Sequence, residues 1–210
     1  MPASIPNDIY QYSLLSAFQA GLKTGGPPVA FLTNHGTHGI GICEDEAAHL
    51  IQVDGRSYIL SPDGKASPAS DHTPLPFVMV NVFQPTCSVH VPDGTTLSGL
   101  RYVFEAKGLT SSGKNTPMPF SVRGTFKRIH LGLENELEGV RGTIFGYSIP
   151  VWQAELSGTG IQCCFITDDL KSGGRVMDFE IGNEAVVDWA KCGRFHLGFP
   201  QEEQYETLTM

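Results

Sequence analysis

The segment over residues 139–180, GVRGTIFGYSIPVWQAELSGTGIQCCFITDDLKSGGRVMDFE, constrains the fold of this chain more than any other stretch. It reads as two or three strands rich in β-branched and aromatic residues, punctuated by a tight Gly-rich turn. Side chains at i and i+2 of a strand share a face. Gln162 and Cys164 therefore point one way, and Cys163 points the other way, toward core.

The rest of the chain repeats this character. It has 24 Gly and 14 Pro in 210 residues, a composition that favours many turns and a β-rich fold. The 40% hydrophobic and 17% charged content belongs to a globular protein with a real core rather than to a disordered one. With a net charge of −8 and no Lys/Arg cluster, nucleic acid and anionic membrane are poor partners. Turn residues and charges interrupt every apolar run well before the roughly 20 residues a membrane span needs. The start, MPASIPNDIYQYSLL, shows no secretory pattern. Cys43, Cys87, Cys163, Cys164 and Cys192 have no framework spacing and no CxxC pair. Reduced thiols and a cytoplasmic location are expected.

Along the chain, Asn7 or Asp8 can cap a helix over residues 9–22, with Ile9, Leu14, Leu15, Phe18 and Leu22 as its stripe. HGTHGIGIC carries glycines that suit a bulged strand or close backbone approach. Residues 49–68 read as two hairpins, with turns at Asp54-Gly55 and Pro62-Asp63-Gly64. PFVMVNVFQP, residues 76–85, is a continuous apolar run expected at the centre of a sheet. Residues 100–109 read as a strand, 111–119 as a flexible loop, and 123–133 as an alternating strand. Further strands are expected near 142–149, 159–167, 175–181 and 194–197.

Six pieces in order carry a resemblance: IYQYSLLSAFQAGL, HGTHGIG, DGRSYILSPDGKASP, PFVMVNVFQP, VRGTIFGYSIP and DDLKSGGRVMDF. Together, over roughly residues 8–200, the chain resembles the α-acetolactate decarboxylase family. The resemblance implies an α+β fold with a mixed N-terminal sheet packed on a C-terminal antiparallel sheet. It implies a single unit over 1–210 with two lobes, approximately 1–110 and 111–210. Family members bind zinc between the lobes, often dimerise, and act on a small 2-hydroxy-3-keto acid. A small-molecule substrate and a homodimer are accordingly expected.

The family holds its zinc with H-x-H on one strand and a third His after a Gly-Gly turn. Those positions here fall on Gln162, Cys164 and Arg175. Arg is cationic at any relevant pH and cannot ligate zinc, and Gln is a weak ligand. Zinc is the family's cofactor, but its ligands are replaced, so no metal and no cofactor are expected. A family glutamate falls on His49. A substrate-contacting arginine falls nearest Thr116, with Lys114 or Arg123 as substitutes. Glu202, Glu203 and Glu206 are available in place of a glutamate from the family's tail.

Arg175, His49 and Gln162 are the candidate catalytic residues, and Cys164, Thr116, Lys114 and Arg123 the candidates for substrate binding. Arg175 would put a cation where the family has one, or else turn to solvent. His49 would move a proton, or sit as a surface His at a strand end. Gln162 would orient a carbonyl, or simply partner Arg175 or Thr116. Cys164 reads mainly as a small buried apolar residue, with a nucleophile as the sharper alternative. Arg141 is expected to pair with Asp178 or Glu180.

Three functions follow. The leading one is a metal-independent lyase, isomerase or cyclase on a larger carbonyl compound, in secondary metabolism. The alternative is a genuine acetolactate decarboxylase with an altered metal site. The third is a non-catalytic carrier of a small ligand.

Overall fold

The apolar run expected at the centre of a sheet is there. In the computed structural model, which describes residues 6–44, 48–106, 115–132, 134–183 and 185–210, every residue of strand β6 (Phe77–Asn81) is buried. Its neighbours are β1 (Ile9–Tyr12) and β2 (His38–Ile42), followed outward by β3 (His49–Val53), β4 (Arg56–Leu60) and β5 (Ala66–Pro68). On the far side of β1 lies β13 (Phe195–Gly198), which runs parallel to it, so this seven-stranded sheet is mixed. The Asp54-Gly55 turn joins β3 to β4 with both residues at positive φ, 50° and 77°, as a tight two-residue hairpin requires.

The second sheet is antiparallel throughout, in the order β11-β10-β9-β8-β12-β7. Its strands are β7 (Cys87–Val91), β8 (Met118–Leu131), β9 (Asn135–Ile149), β10 (Gly160–Thr167), β11 (Gly173–Ile181) and β12 (Ala185–Trp189). The end of β11 also pairs with β8, so the sheet closes into a narrow ring. Gly146 lets β9 and β10 approach closely. A Cβ there would stand 2.1 Å from the Gln162 carbonyl oxygen and 2.4 Å from Cys163 Cβ. Strand β7 sits in the second sheet and β13 in the first, so each sheet takes a strand from the other side of residue 110.

Alternation sorts the side chains into layers. Phe120, Val122, Phe126, Phe165 and Phe179 fill the ring, covered by Leu100 and Phe104 of helix α2 (Leu97–Ala106). Phe77, Met79, Ile40, Ile51 and Leu60 face the second sheet, against Phe145, Tyr147 and Cys164. Val78, Val80 and Leu50 pack on the outer face with Val29 and Leu32. As expected, Cys163 and Cys164 belong to opposite layers.

Two elements differ from the sequence reading. Residues 9–22 are not one helix. Ile9–Tyr12 pair on both edges, Ser13 turns the chain at φ 66°, and only α1 (Leu15–Gln19) is helical. Two available strand edges outweigh a marginal short helix. Residues 100–106, read as strand, lie in α2. Leu97, Leu100 and Phe104 follow helical spacing and pack on the ring, and Tyr102 faces solvent. Residues 107–109 of that reading lie outside the described residues. Arg141 pairs with Asp168 at 3.2 Å rather than with Asp178 or Glu180, because the latter two meet the Leu97 amide and Lys127. Among the described residues no helix is long and apolar enough to cross a membrane.

Candidate functional site

A cavity of about 450 Å³ opens between the two sheets. Its floor is a row of side chains aligned by strand register. Ile42 pairs with Phe77 on one side and with His49 on the other, and Met79 and Ile40 form the next row. Its roof is the β10–β11 hairpin, where Cys164 lies directly across from Arg175. Gly173 lets this hairpin approach the first sheet, because a Cβ there would stand 2.8 Å from Leu60 Cδ2. One end is walled by α1 and by α3 (Ala154–Ser157) with the turn after it, through Leu15, Phe18, Gln19, Ser157, Gly158 and Thr159.

Arg175 donates through Nη2 to Gln162 Oε1 at 3.2 Å. Gln162 is anchored at its other end, where Nε2 donates to the Thr159 carbonyl at 2.9 Å. His49 and Arg175 line both this cavity and a second one of about 500 Å³, bounded by Leu60, Leu131, Asn135 and Met177. Arg175 is exposed and His49 half-buried, so both reach the open space rather than the packed core.

Four of the sequence candidates, His49, Gln162, Cys164 and Arg175, therefore line one cavity. Thr116 and Arg123 line neither cavity. Arg123 instead donates to the buried Asp188 at 2.6 Å, tying β8 to β12. Thr116 is half-buried just ahead of β8. Lys114 lies outside the described residues. None of Glu202, Glu203 or Glu206 lines either of these two cavities. Burial first, and then Glu202, pushes the Tyr12 hydroxyl up to about 12, which puts that carboxylate beside Tyr12.

The sequence reading missed the α1 and α3 wall. Leu15 and Phe18 were recognisable as apolar helical positions, but nothing in their spacing distinguishes a cavity wall from core.

The donors fit zinc poorly. Arg175 is a cation, and the Gln162 oxygen is taken by it. Burial, against the Arg175 charge, pushes the Cys164 thiol up to about 12, far from the thiolate that a metal or a nucleophile needs. Among the described residues no three His, Cys, Asp or Glu side chains are grouped to hold a metal ion. The arrangement can bind an oxyanion through N–H groups of Arg175 other than the one that meets Gln162, and exchange a proton through His49.

The family model for alpha-acetolactate decarboxylase matches residues 9–133 and 132–210. The chain belongs to the α-acetolactate decarboxylase family. An alpha-acetolactate decarboxylase of Methanosarcina mazei is 27% identical over 200 residues, covering 86% of this chain and 68% of that protein. One from Brevibacillus brevis is 26% identical over 219 residues, covering 95% and 75%. The crystal structure of the Bacillus subtilis α-acetolactate decarboxylase superposes with a TM-score of 0.88 at 22% identity, over 96% of this chain and 93% of that one. That likeness establishes the α+β fold, a mixed sheet packed on an antiparallel one. The sequence relatives are decarboxylases by name, and this member of the family carries Gln162, Cys164 and Arg175 in its cavity.

Proposed function

We propose that the chain is a carboxy-lyase that releases CO2 from a 2-hydroxy-3-keto acid of the acetolactate type, with Arg175 supplying the positive charge in place of a metal. The observation that carries this reading is the Arg175–Gln162 contact within the cavity. A fixed guanidinium can donate to both a carboxylate and a developing oxyanion, and preorganised charge of this kind is the usual largest contribution to such catalysis. The family relationship supports the reaction class.

In this mechanism the substrate's 3-keto oxygen lies against the Arg175 N–H groups. The bond between the carboxyl carbon and C2 breaks, and its electron pair moves toward the keto carbon. The enediolate oxygen that results is held by Arg175. His49 in its protonated form gives a proton to C2, the product forms, and His49 recovers a proton from water. Gln162 is a positioning residue for Arg175.

A second reading, a metal-independent isomerase or cyclase acting on a larger carbonyl compound in secondary metabolism, draws on the apolar floor of Ile42, Phe77 and Met79. The test is acetoin and CO2 release from acetolactate by protein treated with a chelator, alongside metal analysis. Turnover that survives chelation supports the proposal. Stoichiometric zinc in active protein, turnover lost with the metal, or binding without turnover overturns it.

A further inference from the structure

We infer that the site takes a 2-hydroxy acid bearing a bulky apolar group, alkyl or aryl, which packs against Leu15, Phe18, Ile42, Phe77 and Met79. This rests on the proposed reading of Arg175 as the oxyanion anchor.

The polar groups of the cavity lie on its roof and at its ends, and leave an apolar patch between them. Gln162 and Arg175 stand on the β10–β11 roof and His49 at one end of the floor row. The remainder of the floor is aliphatic and aromatic, and Leu15 and Phe18 of α1 continue it, while Gln19, Ser157 and Thr159 add polar groups at the α1–α3 end. A cavity of about 450 Å³ falls in the roughly 300–1,000 Å³ range that holds drug-sized ligands. A small acid held at Arg175 would leave much of that apolar surface facing water.

Helix α1 shows that its apolar wall is presented rather than left over. Ala17 of α1, with Leu14 just before the helix and Leu22 just after it, packs against Leu156, Leu197, Tyr205 and Leu208. Leu15 and Phe18, three residues apart, share the neighbouring side and line the cavity. Phe18 is half-buried and, among the described residues, joins none of the apolar clusters that form the core. A half-buried aromatic ring on a helix anchored along its adjacent side is suited to meeting a ligand. Each methylene a ligand buries there is worth about a four-fold gain in affinity.

The experiment measures calorimetric binding of three unreactive 2-hydroxy acids, lactate, 2-hydroxyhexanoate and 3-phenyllactate, to the full chain. Affinity is expected to rise in that order, by roughly ten-fold or more from the first to the last. Phe18→Ala is expected to weaken 3-phenyllactate by roughly ten-fold and lactate by less than about two-fold. Equal affinities, a preference for lactate, no binding of any probe, or an equal loss for both ligands in the variant overturns the inference. The wild-type series alone decides the matter if the variant does not fold. Acetolactate turnover without selectivity among the probes would sink this inference and spare the proposed reaction. Selectivity without CO2 release would do the reverse.

Discussion

Arg175 and Gln162 form a single unit at the roof of the cavity: the guanidinium donates to the amide oxygen at 3.2 Å, and the amide nitrogen is tied to the Thr159 carbonyl at 2.9 Å. The amide thus orients the cation without neutralising it, which a carboxylate in its place would do. Arg175→Met is expected to lower kcat about 10²–10³-fold, the cost of removing a preorganised oxyanion donor. Because Arg175 is exposed, stability should change by no more than about 0.5 kcal/mol. Gln162→Glu should also suppress turnover, by pairing the guanidinium. Steady-state kinetics and a denaturation curve for each variant check both.

The thiols are expected to stay out of the chemistry. Burial pushes Cys164 up to about 12 and raises Cys163 still further, while Cys87 is exposed on an edge strand. Iodoacetamide at pH 8 should therefore label Cys87 in the native protein and leave Cys43, Cys163, Cys164 and Cys192 unlabelled, with turnover unchanged. Peptide mass spectrometry after the reaction reads this directly. Labelling of Cys164 with loss of activity would restore the nucleophile reading.

His38 should make stability depend on pH. Burial lowers its pKa below the usual 6.5, the Asp54 charge raises it, and Arg123 lowers it further, for a net decrease. The folded state therefore binds fewer protons than the unfolded one near and below that value. Stability is fully present above about pH 6.5 and falls as pH drops through the lower folded pKa. Melting temperatures between pH 8 and pH 5 should fall less steeply for His38→Gln than for the parent chain. Parallel slopes would count against it.

Between the sheets, Tyr147 donates its hydroxyl to Asn81 Oδ1 at 2.9 Å, and both side chains are fully buried. Among the described residues the Asn81 Nδ2 group has no acceptor. Tyr147→Phe would leave the other end of the same amide without its donor. A loss of about 1–3 kcal/mol is expected, seen as a lower denaturant midpoint at unchanged slope.

Much of the fold was legible because periodicity survives any packing. The hairpins over residues 49–68, the central β6 and the strands from 142 to 181 are set by alternation and by turns such as Asp54-Gly55. The reading failed where two periods compete over a short span. Ile9–Tyr12 became a strand because β6 and β13 offered it two edges, and neither edge is local in sequence. Residues 100–106 became helix because the ring needed a cover with Leu100 and Phe104 on one side.

The cavity divides in the same way. The sequence by itself determined that Gln162 and Cys164 share a face, because a strand repeats every second residue. Its resemblance to a family brought Arg175 and His49 into the same reading. Only the tertiary structure decided that Gln162 is the partner of Arg175, that Arg123 is spent on Asp188, and that Leu15 and Phe18 wall the cavity. Those outcomes depend on which surfaces meet when two sheets and a short helix pack together. An apolar residue carries no mark of whether it will meet core or open space.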